Sequence, residues 1–478
     1  MTVRKRVVTF AAAGLTLAAV AAGWYLYRAL PIGTGYTAKY LCSGVFLSQR
    51  DPRAVFDDDI RPVNILTRVI TTSVDPAART VSARALGLIE STAVYREGCG
   101  CTLLAGIDPS ECHQRSPHLP PRPQLPADQP WPLGSAPVQP SPGINHRALD
   151  SAIDHAFAEP DPVHPRHTRA VAVVFNGRLV AERYAPGFHR HTKLPGWSMS
   201  KSVTNALVGI LVRQGRLDIE APAPVPEWQT PGDPRRAISL NLLLRMSSGL
   251  AFEETYAPLK DATDMLYGSA DFGAFAAAKP LAAKPGTRWQ YSSGTANIVA
   301  RLVRHTIGGS QDDYLGFVQR ELLDRIGMTE TVVELDPSGT IVGSSYTYGT
   351  ARDWARFGQL FLQDGVWEGR RILPPGWVAY STTPAPAAPQ GKYGAHFWLN
   401  AGTPDRPEDR RWPELPRDAY FAMGYQGQNV GMVPSRGLVV VRLGLTVDRS
   451  AWDLGAFVAD ILAALPPLPA DRMVSAAL

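Results

Sequence analysis

Little in this sequence suits a metal-dependent or nucleotide-dependent enzyme. Its 478 residues include only four cysteines and ten histidines. They contain no His-Glu-x-x-His helix, no phosphate-cradling Gly-x-x-x-x-Gly-Lys-Ser/Thr loop and no Gly-x-Gly-x-x-Gly dinucleotide turn. No cofactor is expected. Charged residues are also sparse, at 19%, and the formal charge of +5 is spread along the chain without a long basic stripe. That dispersal argues against nucleic acid as a partner. The cysteines, Cys42, Cys99, Cys101 and Cys112, all fall in the first quarter of the chain. No histidine stands near them at a finger-like spacing, and His113 adjoins Cys112 too closely to share a tetrahedral zinc site with it. In an oxidising compartment they have the makings of two disulfides, with three connectivities open.

What is present divides the chain into regions. Arg4-Lys5-Arg6 precedes an apolar run from Val7 to about Tyr27, close to the roughly 20 residues a helix needs to cross a bilayer. The basic cluster places the rest of the chain outside the cytoplasm. Residues 1–34 are read as an inner-membrane anchor, with the periplasm or cell exterior as the location of the rest if the source is bacterial. The alternative is a signal segment cleaved near Ala19-Val20-Ala21, giving a secreted protein. Leu41 is too bulky to precede a lipidated Cys42. Residues 35–115 show short alternating stretches such as Thr80 to Leu86, read as strands of a small accessory module with the four cysteines. Proline dominates residues 116–144, which predicts a semi-rigid linker.

Residues 145–467 form the large domain, followed by a tail at 468–478. A helix is expected from His146 to Ala158. Two strands, Ala170 to Phe175 and Arg178 to Tyr184, flank Asn176-Gly177, a pair that tolerates the positive φ angles of a tight hairpin turn. A second hairpin, Asn429 to Val433 and Leu438 to Leu445, precedes a closing helix at Ala451 to Leu465. The fold class is α+β: an antiparallel sheet flanked by N- and C-terminal helices, with a mainly helical subdomain between.

Ser198 opens a helical stretch to Arg213, and Lys201 lies three residues on, so the two share a helix face. A serine hydroxyl needs a base to act as a nucleophile, and a desolvated lysine can supply one. Tyr291-Ser292-Ser293 and Gly424-Tyr425-Gln426-Gly427-Gln428 follow in order. With these three motifs, and with Leu243 to Leu250 and Ser345 to Trp354 in support, Asn145 to Leu465 resembles the serine β-lactamase and penicillin-binding-protein superfamily. The likeness is specifically to class C β-lactamase-like esterases and 6-aminohexanoate-dimer hydrolases. The resemblance implies that Ser198 is acylated and that Lys201 and Tyr291 manage its proton. It further implies that the Ser198 and Gln428 backbone N–H groups bind the oxyanion, and that Ser293, Tyr425, Gln426 and Gly427 contact substrate.

Two departures bear on the substrate. Ser293 stands where class C β-lactamases carry asparagine, and Tyr425 stands where the family carries lysine or histidine. Tyrosine offers no charge to a substrate carboxylate, so a small-molecule ester or linear amide is expected over a β-lactam. A β-lactamase or DD-peptidase, and a non-catalytic envelope scaffold, remain the alternatives. Gly196 to Ser200 lacks the last glycine of a Gly-x-Ser-x-Gly elbow. His164, His167, His189 and His191 read as solvated loop residues, and His396 as either pocket lining or part of a packed strand. Glu253, Glu254 and Asp261 to Asp264 read as solvated acids.

Overall fold

The computed structural model describes residues 3–138 and 140–467, so the tail read at 468–478 lies outside the described residues. Elements are numbered here in chain order. A six-stranded antiparallel sheet organises the large domain. Its strands are β5 (Thr168–Phe175), β6 (Arg178–Tyr184), β7 (Trp398–Leu399), β8 (Tyr420–Gly424), β9 (Gln428–Val433) and β10 (Leu438–Gly444), in the order β7-β8-β9-β10-β5-β6. Both strands of the predicted first hairpin are present, and Asn176 and Gly177 take φ 50° and 75° as the tight turn demands. β10 pairs with β5 in register Val440↔Val173, which joins the C-terminal hairpin to the N-terminal one.

Successive strand side chains point to opposite faces, and both faces of this sheet are covered. Val171 and Val173, with Leu438 and Val440, pack against α2 (His146–Phe157) and the C-terminal helix α7 (Leu454–Ala464) through Leu149, Ile153, Val458 and Ile461. Ala170, Ala172 and Val174, with Val439 and Val441, face α6 (Ala351–Leu362). Burial on both sides explains why these strands read as unbroken apolar runs. The helical part carries α3 (Ser200–Arg213), α4 (Asp261–Gly268) and α5 (Ser293–Ile307). The α+β architecture follows the sequence reading.

The first 115 residues differ from a separate module. Helix α1 runs unbroken from Val3 to Cys42, through the boundary read at residue 34. By length and composition it is apolar enough to cross a membrane. Its surface changes character at one point: Ala12 to Tyr27 is exposed, with Tyr27 at 69%, whereas Ala29 is at 1% and most residues from there to Cys42 are buried. Strands β1 (Ile70–Asp75), β2 (Thr80–Ala85), β3 (Ile89–Arg96) and β4 (Gly100–Leu103) form an antiparallel sheet on this buried half. Their apolar side chains belong to the same core as α3 and α5. Only one disulfide forms, Cys42–Cys101, while Cys99 and Cys112 are buried free thiols. The residues read as a linker are strapped to the large domain. Arg122 ion-pairs Asp324, and Arg356 donates to the Pro132 and Gly134 carbonyls at 3.0 Å each.

A buried ion pair fastens α1 to the large domain. Lys39 meets Glu334, whose other carboxylate oxygen accepts from Ser43 Oγ at 2.8 Å and from the Cys101 N–H at 2.7 Å. One carboxylate thus links the helix, the disulfide and the domain. Removing one partner strands the other charge in the interior. Glu334→Ala is expected to lower the free energy of unfolding by about 3–5 kcal/mol, measured by urea denaturation of the full chain.

Candidate active site

Trp197–Met199 form a single 3-10 turn, and α3 begins at Ser200. The helix therefore starts two residues later than the sequence suggests, because Trp197 takes φ 46°, a left-handed conformation uncommon for an aromatic residue. Several contacts hold that conformation. The Trp197 indole N–H donates to Gln426 Oε1 at 3.2 Å, and its ring meets Tyr425 edge-on with centroids 5.6 Å apart. Gly424 ends β8 against the same turn. A Cβ there would lie 2.1 Å from the Gly196 carbonyl oxygen, so only glycine allows this approach. The turn leaves Ser198 on the wall of a cleft of about 610 Å³.

Lys201 follows one helical turn on and is 1% exposed. Its Nζ donates to Ser198 Oγ at 3.0 Å, to Ser293 Oγ at 3.1 Å and to the Ser344 carbonyl at 3.1 Å. These use all three ammonium donors. Burial nevertheless pushes its pKa from 10.5 down to about 8, against the opposing pull of the Glu254 carboxylate. The Tyr291 ring centroid lies 4.7 Å from the same nitrogen. Its hydroxyl is within hydrogen-bonding reach of Ser198, and burial holds the phenol well above its ordinary range. Ser198, Lys201 and Tyr291, 93 residues apart at the extremes, thus meet at one point.

Ser293 has a different position from the one expected. It opens α5 completely buried and does not line the cleft. Its hydroxyl accepts from Lys201 and donates to Glu254, whose second oxygen accepts the Ser293 N–H at 2.6 Å. Glu254, read from sequence as a solvated acid, is therefore part of the site and lines the cleft. No spacing announces it, since the loop that carries it meets α5 only through the tertiary fold. His396 is not pocket lining either. It is buried, its Nδ1 is 2.8 Å from the Lys201 carbonyl oxygen, and burial lowers its pKa to about 3.

Tyr425, Gln426 and Gly427 line the cleft. The Gln428 side chain turns away and braces β9 to β10. Its Nε2 donates to the Gly444 carbonyl at 2.6 Å and its Oε1 accepts from the Gly444 N–H at 3.0 Å. Gln428 itself is buried and is not among the residues that line the cleft. No sequence pattern marks the far wall. Arg411 and Arg449 line it, and neither guanidinium has a carboxylate partner among the described residues. Arg411 lies over Trp412, 4.6 Å from the ring centroid. Positive charge that Tyr425 does not provide thus comes from elsewhere. The loop histidines sit apart: His164 meets Asp448 at 2.9 Å and His191 meets Glu330 at 2.9 Å. Among the described residues, no three side chains are grouped to hold a metal ion.

A serine, a buried lysine and a tyrosine thus meet at one cleft of an α+β domain. Residues 156–452 match the Beta-lactamase family, and the chain belongs to it. The chain is similar to a 6-aminohexanoate-dimer hydrolase from Paenarthrobacter ureafaciens, 25% identical over 302 residues covering 59% of this chain and 73% of that one. Two solved structures share the fold. A penicillin-binding protein homologue from Caulobacter crescentus has TM-score 0.52 and 16% identity, covering 69% of this chain and 99% of its own. A family VIII carboxylesterase has TM-score 0.52 and 16% identity, covering 69% and 98%.

Glu254 stabilises the ammonium form of Lys201, so removing its charge lowers the lysine pKa further. Glu254→Gln is expected to move the Lys201 titration midpoint below about 8, read by NMR of the labelled lysine side chain.

Proposed function

We propose that this protein is a serine hydrolase that cleaves an ester or amide through an acyl-enzyme on Ser198. The observation that carries the reading is a buried lysine whose Nζ stands 3.0 Å from the hydroxyl of a cleft-lining serine. With a pKa near 8, a useful fraction of Lys201 is neutral amine at physiological pH. It takes the Ser198 proton as Oγ bonds to the substrate carbonyl carbon. Tyr291 passes a proton to the departing alcohol or amine, and the acyl group stays on Ser198. The proton that Lys201 took restores Tyr291; water then attacks the ester carbonyl, one of its protons is relayed through Tyr291 and Lys201 to the departing Ser198 Oγ, and the carboxylic acid is released. The Ser198 and Gln428 N–H groups hold the oxyanion in both steps. Tyr425, Gln426 and Gly427 bound the substrate, and no cofactor takes part. The name of the Paenarthrobacter relative favours a linear amide among the substrates.

Helix α1 anchors the protein in the inner membrane with its catalytic domain in the periplasm or outside the cell. The Cys42–Cys101 disulfide supports an oxidising location. A second reading, β-lactamase or DD-peptidase, draws on Arg411 and Arg449, which could dock a substrate carboxylate in the absence of a motif lysine. Nitrocefin turnover or D-Ala release at rates matching p-nitrophenyl acetate hydrolysis supports it.

A fluorophosphonate probe is expected to label Ser198 alone. Ser198→Ala or Lys201→Ala is expected to lose about 10⁴-fold or more of p-nitrophenyl ester hydrolysis, and Tyr291→Phe about 10²–10⁴-fold. Unchanged hydrolysis in Ser198→Ala overturns the proposal. Because the neutral amine is the active form, the rate of labelling at Ser198 should rise with pH through a midpoint near about 8.

A further inference from the structure

A second cavity, of about 200 Å³, lies on the other side of two residues that border the catalytic cleft. Tyr256 and Tyr425 line both spaces, and their stacked rings, 5.2 Å apart between centroids, are the partition. Trp197, the neighbour of Ser198, also borders the second cavity. Its remaining walls are mostly apolar and include Ile32 and Tyr36 of α1 and Leu66 of the turn Ile65–Val69. No step of the proposed hydrolysis uses this space.

Its location relative to α1 points to the occupant. The helix surface is exposed through Tyr27 and buried from Ala29. Ile32 and Tyr36 lie five and nine residues beyond Tyr27, so the cavity begins about 8–14 Å above that change at 1.5 Å per residue. Trp24, Tyr25 and Tyr27 are exposed just below it, the residue types that settle at a membrane–water interface.

The small sheet gives an independent measure of the same level. Thr34 Oγ1 meets Ser91 Oγ at 2.8 Å, while Cys42 is bonded to Cys101, which pairs with Tyr95 on β3. Eight helical residues, about 12 Å, therefore run beside four strand residues, about 13 Å. Strand and helix point the same way. Leu88, in the turn three residues before Ser91, falls near the level of Tyr27. Leu86 and Leu88 are 58% and 85% exposed. The Leu86 N–H donates to the Val69 carbonyl at 3.1 Å, which joins this turn to the cavity rim, where Ile65 is 73% exposed. An apolar exposed surface thus runs from the helix change-point to the cavity.

Resting on the serine-hydrolase reading above, we propose that the substrate is a membrane-resident acyl ester whose hydrocarbon chain occupies this cavity while its carbonyl lies at Ser198. The chain rises from the bilayer beside α1, over Ile65 and Leu66, and the stacked Tyr256 and Tyr425 rings that divide the two spaces part to let its carbonyl reach Ser198. Ser198 Oγ bonds to the acyl carbonyl carbon, the alcohol portion leaves with a proton, and water releases the fatty acid from the serine.

The test uses the full chain in detergent micelles with p-nitrophenyl acetate, butyrate, hexanoate and octanoate. Each methylene buried should raise kcat/KM by about fourfold until the cavity is full. In Leu66→Trp, and separately in Ile32→Trp on the opposite wall, the octanoate-to-acetate ratio of kcat/KM is expected to fall at least tenfold. A wild type that prefers acetate, or a ratio unmoved in both variants, overturns the acyl-chain assignment while Ser198-dependent acetate hydrolysis leaves the hydrolase reading intact. Hydrolysis that survives Ser198→Ala instead overturns the hydrolase reading itself.

Discussion

The site depends on keeping one amine out of water. A lysine can serve as a base near neutral pH only if its charged form is made costly, and for Lys201 the structure does this by burial, without a cationic neighbour. Two helices and two loops close around it. α3 supplies the lysine, α5 brings Ser293 and the loop before it brings Tyr291, and the chain at Ser344 offers a carbonyl. Those hydrogen bonds stabilise the ammonium, so burial must outweigh them, and the direction of the pKa shift says that it does. Glu254 sets the limit in the other direction. Its carboxylate, which accepts from Ser293, favours the ammonium form and opposes the effect of burial.

The strained turn at Trp197 serves the same constraint. A helix beginning regularly at Ser198 would not need the indole's contacts with Gln426, Tyr425 and Tyr40. The left-handed residue before the serine lets the chain come off Gly196, pass beneath Gly424 and turn into α3. Tyr40 belongs to α1, so that helix is one of the supports of the turn that carries Ser198. The first part of the chain is structurally continuous with the chemistry.

Much of this was legible from residues whose local environment determines their conformation. Asn176-Gly177 announces its turn because few other pairs adopt two positive φ angles, and the runs in β5 and β10 announce burial on both faces. Ser198, Lys201 and Tyr291 stand out because motif spacing survives translation into three dimensions. Ser293 and Glu254 did not, since a serine after a tyrosine reads the same whether it faces substrate or supports a lysine from below. Arg411 and Arg449 sit 38 residues apart on segments without periodic pattern, and only the closed sheet brings them to one wall. The extent of α1 escaped for a related reason: an apolar run describes a helix in lipid and a helix in a core equally well.

The abrupt change along α1 separates two properties. Between Ala12 and Tyr27 the helix is exposed, while the half that carries Tyr40, Lys39 and Cys42 is built into the domain. A cut among the small residues near Ala21 would therefore shorten the exposed half without opening the core. Exposed surface and architecture occupy different turns of a single helix. The chain before and after such a cut would hold Ser198 by the same contacts.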